Sequence, residues 1–325
     1  MLSKSNPFAP ALSLIGGTLN LLAGTRVAVG TTLLHVTVNT PVQMPALAAG
    51  TDYAVYACAD GKIVADANFS APTGYTSANS IKIGGFHYAP GGNASPTAQT
   101  GGNTTPAINP CSIWDLKWRP ACLDPRGMAL HSMGVWGDAY FLNTASDVNG
   151  TSKFGATCAT GAALPKVPAL YGGDGVASEA DFSWHTAARI LAAFGKRLPT
   201  QQEFSALTFG VTEATSVGPQ TVTTGLDAPR TSAIGIMQAT GNLWVWGQEA
   251  AVDPTSTTAN AWFADTGGRG QSNIYGVGDL KRAIYGANWY VGVDAGSRAS
   301  GWGYAPSFSG SSIGARGVCD HLILV

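Results

Sequence analysis

The C-terminal stretch Tyr285–Val325 restricts the possible fold more than any other part of the sequence. It is almost uncharged and rich in Gly and Ser, it contains Trp289 and Trp302, and strict alternation occurs only in Cys319–Val325. It lacks a helical period and is too apolar and aromatic for a disordered tail. Two interpretations stay open: a binding surface of rigid rings among small residues, or a Gly-rich β core with aromatic packing.

Charged residues are scarce along the whole chain. They make up 11% of 325 residues, whereas about 25% is usual for globular proteins. Solvation must therefore depend on Ser, Thr, Asn and Gly, which is common in extracellular, phage and fibre proteins. The net charge of −1 provides no electrostatic footprint for nucleic acid or an anionic membrane, so we expect no nucleic-acid partner. No apolar run is long enough to span a bilayer, so we expect no membrane insertion.

The sequence contains no recognisable catalytic or cofactor motif, and we predict no enzyme activity, no catalytic residue and no cofactor. GxSxG, Walker and HExxH patterns are absent, and the five histidines are scattered. The five cysteines lack CxxC spacing, which argues against a zinc site; they are Cys58, Cys111, Cys122, Cys158 and Cys319. Cys111 and Cys122 could pair, or all five could be free thiols. A structural cation near Asp265 or Glu249 is left open.

Residues 1–110 have the pattern of a small antiparallel β-sandwich. Alternating or β-branched segments predict strands at Arg26–Val29, Leu33–Val38, Asp52–Ala57 and Ile81–Tyr88. Asp60-Gly61 between two such segments is a strong hairpin signal. The Gly/Pro-rich segment Pro90–Pro110 ends this block as a loop that is either flexible or docked as an extended arm.

Residues 111–325 combine short helices with many short strands, so the predicted class is α+β. Ser183–Phe194 has helical spacing, with Gly195 as its stop, and Thr200 with Glu203 forms a capping box that opens a helix over Gln201–Leu207. We predict strands at Met128–Leu142, Asn242–Trp246, Ala261–Phe263, Ala283–Trp289 and Arg316–Leu324.

Four segments in this second block resemble, in order, the C-type-lectin-like fold in its formylglycine-generating-enzyme form. They are GKRLPTQQEF, GNLWVWGQE, YGANW and GARGVCD. The resemblance implies a small β-sandwich intermediate domain over 1–110, followed by a C-type-lectin-like domain over 111–325 with two short helices and a long loop-rich β region. An oxidase of this type needs a reactive cysteine pair near the C-terminus. Only Cys319 lies there, within a predicted strand, which argues against that alternative.

A more specific resemblance covers nearly the whole chain from about residue 20. The segments that carry it include Met44–Tyr56, Asp66–Ser77, Gly84–Gly91, Leu123–Met128, Phe209–Ser216, Asp265–Gly270 and Gly314–Leu324. They are similar to the receptor-binding variable proteins of diversity-generating retroelements. The resemblance implies a homotrimeric binder at a phage or prophage tail-fibre tip, in the virion or at a cell surface, that recognises a host-cell surface receptor. A structural virion protein without a receptor is the remaining alternative.

One departure concerns the N-terminus. Relatives carry a further small β-prism domain ahead of the sandwich, whereas this chain begins almost at the sandwich. The way in which the protein attaches to a virion is therefore not given by the sequence.

The resemblance also implies a variable region at about 285–325. In this family a reverse transcriptase miscopies template adenines, so that AAC and AAT codons diversify. The corresponding ligand-binding positions are Asn288, Tyr290, Val291, Gly292, Asp294, Gly301, Gly303, Tyr304, Phe308, Gly310 and Ser312, with Ile313 as a further candidate. Adenine changes in those codons cannot produce Lys, Glu, Gln, Met or Trp, and none of these occurs at the positions.

Fixed residues between the variable ones are expected to hold the backbone, while Tyr290, Tyr304 and Phe308 are the expected aromatic anchors. The expected scaffold comprises Trp289, Ser297, Arg298, Trp302, Gly314 and Arg316. Asp320 and His321 are predicted to form hydrogen bonds in the core.

Overall fold

The computed structural model describes residues 2–252, 261–264, 267–274 and 279–324. Within these ranges the protein is mostly β, with several sheets and short helices. No helix in the described ranges is both long and apolar enough to cross a lipid bilayer.

The N-terminal strands form two small antiparallel sheets. One contains β1 (Leu2–Ser3), β4 (Arg26–Val29) and β5 (Thr32–His35), and the other contains β2 (Leu12–Ile15), β3 (Thr18–Leu21) and β6 (Thr40–Pro41). The strand predicted over Leu33–Val38 therefore begins one residue earlier and ends at His35. Both sheets pack against the same hydrophobic core, to which Leu12, Leu21 and Val27 contribute.

A five-stranded sheet completes that core. It consists of β7 (Thr51–Cys58), β8 (Ile63–Asp66), β9 (Ser80–Ala89), β10 (Ala107–Ile108) and β11 (Trp114–Asp115). The predicted hairpin at Asp60-Gly61 joins β7 to β8, and the backbone N–H of Cys58 donates to the carbonyl of Lys62 over 2.9 Å. Val55, Ile83 and Phe86 turn inward from this sheet.

The segment after β9 is docked, which decides between the two alternatives for Pro90–Pro110. Its backbone donates from Ala94 to the carbonyl of Ser232 and from Gly101 to that of Gly210, over 3.1 and 2.9 Å. The arm therefore ties the first half of the chain to the second.

The two longer helices of the second half begin at capping residues. α1 (Ser146–Asn149) is a single turn that the sequence pattern did not predict, whereas α2 (Trp184–Ala193) and α3 (Gln201–Leu207) agree with prediction. The Ser183 side chain accepts from the N–H of Thr186, and Thr200 with Glu203 forms the predicted capping box.

Two sheets make up the remainder of the second half. The first has the order β12 (Trp118–Pro120), β21 (Val318–Ile323), β14 (Val135–Asp138), β13 (Met128–His131). The second has the order β16 (Ala261–Phe263), β17 (Ser272–Ile274), β19 (Ser300–Tyr304), β18 (Lys281–Tyr285), β15 (Trp244–Ala251), β20 (Ile313–Gly314). The prediction of one strand over Met128–Leu142 is wrong, because a turn closed by Gly134 N–H to His131 C=O at 3.0 Å divides it into a hairpin.

All five cysteines are free, so the possible Cys111–Cys122 pairing is not formed. Cys122 instead lies beside Cys319 in a buried cluster with Met128 and Trp136. The hydrogen bond with Cys122, together with burial, raises the pKa of Cys319. A buried thiol with a raised pKa is expected to react slowly.

Candidate ligand-binding site

The chain leaves the six-stranded sheet abruptly after Tyr285. Gly286 and Ala287 both have left-handed backbones, with φ of +87° and +68°, so the strand predicted over Ala283–Trp289 ends at Tyr285. The chain then turns, forms a 3-10 helix at Gly292–Asp294 and re-enters the sheet as β19. This excursion carries five of the eleven predicted binding positions, and β19 carries three more.

Groups outside the C-terminal stretch hold the backbone of this excursion. The Ser216 hydroxyl donates to the carbonyl of Asn288 over 2.8 Å and accepts from the N–H of Gly292 over 3.0 Å. The N–H of Ala214 donates to the carbonyl of Ala295 over 3.0 Å. The loop conformation is thus fixed through main-chain atoms. These atoms are present whichever side chain stands at the position.

Glu213 and Arg269 form an ion pair that holds the backbone and hydroxyl of Ser297. The Glu213 carboxylate accepts from the N–H of Ser297 over 2.8 Å and from its hydroxyl. Arg269 Nε donates to Ser297 Oγ over 2.7 Å, and its Nη2 donates to the carbonyl of Ser205 over 2.8 Å. Burial raises the pKa of Glu213, while its hydrogen bonds with Ser297 oppose that shift.

The excursion, β19 and the neighbouring strands enclose a cavity of about 320 Å³. Its walls contain six of the predicted binding residues: Tyr290, Val291, Asp294, Gly301, Gly303 and Tyr304. Gly301 allows β19 to pack closely against Ile284, because a Cβ at this position would lie 2.9 Å from Cγ1 of Ile284. The cavity is concave, and polar and apolar atoms line it in similar measure.

The expected aromatic anchors differ in exposure. Tyr290 is 64% exposed and its ring meets Trp289 edge to face, whereas Tyr304 and Phe308 are half-buried with ring centroids 4.4 Å apart. Tyr290 and Tyr304 reach the cavity, and Phe308 supports Tyr304 from outside its lining.

Other predicted positions face elsewhere. Asn288 is 0% exposed and Ile313 is 1% exposed, so neither side chain is available to a ligand. Gly310 and Ser312 act through their backbone, accepting at their carbonyls from the N–H groups of Gly161 and Trp244 over 3.0 Å. Gly292 is half-buried at the start of the 3-10 helix.

The expected scaffold residues have unequal roles. Arg316 is buried and donates to the backbone carbonyls of Ala139 and Gln238, both over 2.9 Å, and to that of Met237. Complete burial lowers its pKa to about 9. Its guanidinium also lies 3.9 Å from the ring centroid of Phe141.

Of the tryptophans, Trp302 donates from Nε1 to Ser300 Oγ over 3.1 Å, and Trp289 packs beside it against the same cluster. At Gly314, an added Cβ would meet Leu243 at 3.0 Å. Arg298 differs from expectation: its side chain is exposed, and Arg269 provides the side-chain hydrogen bond to Ser297 instead.

The prediction for Asp320 is also wrong. Its side chain is 78% exposed and pairs with Arg197 at 3.1 Å, because β21 turns it outward. His321 accepts a hydrogen bond of 2.9 Å from the indole N–H of Trp136, as a core residue would.

Sequence reasoning missed the half of the cavity that lies outside the C-terminal stretch. Trp244, Trp262, Asn273 and Ile284 line it from β15, β16, β17 and β18. Long-range pairings, such as the parallel match of Asn273 with Gly301, bring them there. The tryptophan-rich segments were visible, but no local signal indicates which of their faces meets the loop.

A second, larger cavity of about 1220 Å³ lies away from these residues. Residues from both halves of the chain line it, including Pro10, Ile113, Phe209, Ile234 and Arg298. None of the predicted variable positions borders it, so it is separate from the candidate ligand-binding cavity beside β19.

The described residues contain no group of three or more His, Cys, Asp or Glu side chains that could hold a metal ion. One Glu249 oxygen accepts from the N–H of Gln201 over 2.8 Å, and the other accepts from the Tyr285 hydroxyl. Asp265, the other residue considered for a cation, lies outside the described ranges.

Comparisons with known proteins agree with this architecture. The tail fiber receptor-binding protein of Bordetella phage BPP-1 is 48% identical over 331 residues, covering 99% of this chain and 84% of the relative. The solved Major Tropism Determinant U1 and P3c variants both superpose with a TM-score of 0.89, at 47% and 48% identity, each covering 99% of this chain and 86% of the variant. A family model described as "Mtd second domain" matches residues 13–115.

Proposed function

The chain belongs to the family of phage major tropism determinants, and from this membership we propose that it is a virion-associated tail-fibre protein that recognises a receptor on the surface of a host cell. The relative from Bordetella phage BPP-1 is named as a tail fiber receptor-binding protein. A chain with 48% identity to it over 99% of its length has the same scaffold available for the same task.

One observation carries the proposal for the binding site. Six predicted variable positions line a single cavity, four of them with side chains and two as glycines, while hydrogen bonds with Ser216, Ala214 and Glu213 hold the backbone beneath them. A retroelement can replace such side chains without dismantling the loop, because the clamps act mainly on main-chain atoms. We propose that this surface, including Tyr290 and Tyr304, contacts the receptor.

The finer architecture is also a proposal. A small β-sandwich over residues 1–110 would act as an intermediate domain, and a C-type-lectin-like domain over 111–325 would carry the variable region at about 285–325. The family match to residues 13–115 and the shared core of the N-terminal sheets support the first domain. The two capped helices and the six-stranded sheet support the second.

We further propose that the protein acts as a homotrimer, as the resemblance to retroelement variable proteins implies. Several copies presented together convert weak single-site contacts into strong attachment to a cell. A site that changes by mutation gains from this arrangement, because each new variant needs only modest affinity.

The two alternatives have less support. An oxidase needs an accessible cysteine, whereas Cys319 is 4% exposed and Cys122 is 2% exposed. A structural virion protein would bury the aromatic patch between subunits. Surface labelling of Tyr290 in the assembled protein distinguishes this alternative from a receptor-binding protein, because a ring buried between subunits would be protected from the reagent.

The direct test is binding of the purified full chain to host cells after Tyr290→Ala and Tyr304→Ala are combined. We expect a loss of at least about thirtyfold in affinity, the scale of a hot-spot contact, with unchanged folding. Tyr171→Ala, at an exposed tyrosine outside the cavity, serves as the matched control. Normal binding by the folded double variant would remove both rings from the receptor contact.

A further inference from the structure

The cavity among the variable side chains has a distinctive chemistry. Its aromatic lining consists of Trp244, Trp262, Tyr290 and Tyr304. Among the described lining residues, Asp294 is the only charged side chain. A carboxylate among aromatic rings is complementary to an organic cation, because ring faces and the carboxylate are both negative.

The Asp294 carboxylate is available to a ligand. Its backbone is secured, since the N–H of Gln271 donates to its carbonyl over 3.0 Å. Its half-buried side chain, by contrast, has no hydrogen bond or ion pair within the described part of the chain. A carboxylate held partly out of water without a partner gains more from an incoming cation than an exposed one does.

Nearby arginines are already engaged. Arg282 lies two residues before Ile284 on β18, but its guanidinium is 3.6 Å from the ring centroid of Trp184 and donates to the carbonyl of Gln248 over 3.2 Å. Arg298 borders the larger cavity instead. The protein thus supplies no arginine from either position to neutralise Asp294.

Resting on the receptor-binding function proposed above, we infer that the cavity accepts a lysine or arginine side chain projecting from a receptor protein. The cation pairs with Asp294, and its alkyl stem packs on Trp262 and Ile284. A volume of about 320 Å³ suits one long side chain, being at the lower end of the roughly 300–1,000 Å³ of small-molecule sites.

Ligand specificity is then divided between two halves of the cavity. Trp244 and Trp262 lie outside the region 285–325 and supply a constant aromatic floor. Asp294 lies within it and supplies the preference of this particular sequence for a cation. Replacement of Asp294 by retroelement variation would therefore retain the floor and change the ligand.

The test uses the full chain labelled with 5-fluorotryptophan and observed by fluorine NMR. Trp262→Phe assigns one resonance among the nine tryptophans. The probes are Nα-acetyl-lysine methylamide, its arginine counterpart, the neutral norleucine counterpart and phosphocholine. We expect the Trp262 signal to shift saturably with the lysine or arginine probe and not with norleucine.

Substitutions at the carboxylate give the decisive comparison. Asp294→Asn should weaken the cationic probe roughly tenfold to a hundredfold, the range for one charge-assisted hydrogen bond, while Asp294→Glu should retain binding. Asp279→Asn, at an exposed carboxylate outside the lining, should change nothing. The other tryptophan signals report that each variant is folded.

Three results would overturn the inference: equal binding of norleucine, stronger binding of phosphocholine than of both side-chain probes, or no effect of Asp294→Asn. The receptor function is judged separately by cell binding. If the combined tyrosine variant no longer binds host cells while Asp294→Asn still binds them, the receptor-binding function stands and the cation site is rejected. If the lysine probe binds but the tyrosine variant still binds cells, the cavity exists and its role as the receptor contact fails.

Discussion

The hydroxyl group of Ser216 donates a hydrogen bond of 2.8 Å to the carbonyl oxygen of Asn288, 72 residues further along the chain. The same hydroxyl accepts from the N–H of Gly292 over 3.0 Å. One small side chain therefore sets both ends of the turn that carries Tyr290 and Val291. The loop owes its shape to a residue outside the predicted variable region.

Removing this hydroxyl should loosen the turn without unfolding the protein. Ser216→Ala leaves two main-chain groups with a lost partner, at a cost of about 1–3 kcal/mol. We expect faster amide hydrogen exchange at Gly292 and weaker binding to cells. Ser307→Ala, an exposed serine of the same stretch, should leave both unchanged. Unaltered exchange in Ser216→Ala would contradict the clamp.

Arg316 should be essential for stability. Arg316→Ala removes one buried donor from each of the carbonyls of Ala139, Met237 and Gln238, so the free energy of unfolding should fall by at least about 3 kcal/mol. Arg298→Ala, at the exposed arginine of the same stretch, should change it by less than about 0.5 kcal/mol. Urea denaturation measures both. Equal losses in the free energy of unfolding would contradict a structural role that is specific to the buried Arg316.

Glu203 should make stability depend on pH. Burial opposes the shift, but hydrogen bonds from Arg197 and Thr200 lower the pKa of Glu203 below its usual 4.5. A folded-state pKa below the unfolded one stabilises the fold above about pH 4.5, and that contribution is lost as pH falls through the folded value. The stability difference between wild type and Glu203→Gln should therefore be largest at neutral pH.

The control for this titration is Thr200→Ala, which removes the cap itself at a cost of about 1 kcal/mol. Its deficit should persist on both sides of pH 4.5, because the threonine hydroxyl does not titrate there. A Glu203→Gln deficit that stays constant as pH falls would exclude a role for the ionised carboxylate.

The buried thiols should be unreactive in the native protein. Cys58, Cys122, Cys158 and Cys319 are buried, and only the partly buried Cys111 offers slow access to a thiol reagent. Titration with Ellman's reagent should detect five thiols after denaturation and at most one before it. Rapid native labelling of Cys319 would revive the oxidase alternative.

Local signals predicted much of the fold. The helical spacing that ends at Gly195, the capping box at Thr200 and the turn at Asp60-Gly61 act within a few residues, so the sequence reveals them directly. The run Met128–Leu142 misled because apolar segments lie on both sides of the turn. Hydrophobic pattern alone does not separate one strand from a hairpin whose two strands are both buried.

The site was only half accessible to sequence reasoning. Family resemblance identified Tyr290, Asp294 and Tyr304, but not the tryptophans opposite them, because strand pairings between distant segments place Trp262 in the lining. For the same reason, the sequence alone does not show which arginine side chain, Arg269 or Arg298, contacts Ser297. Arg269, whose side chain reaches Ser297, was not among the expected scaffold residues, because only tertiary geometry brings it there.

Deep sequencing of the 3′ end of the gene in a replicating population tests the central claim most directly. The account predicts substitutions concentrated at the codons of the cavity positions from Tyr290 to Tyr304, with Ser216, Trp262, Trp302 and Arg316 spared. Such a pattern means that side chains change on a backbone held from elsewhere. Substitutions spread evenly over this region, or falling equally on the clamp residues, would contradict it.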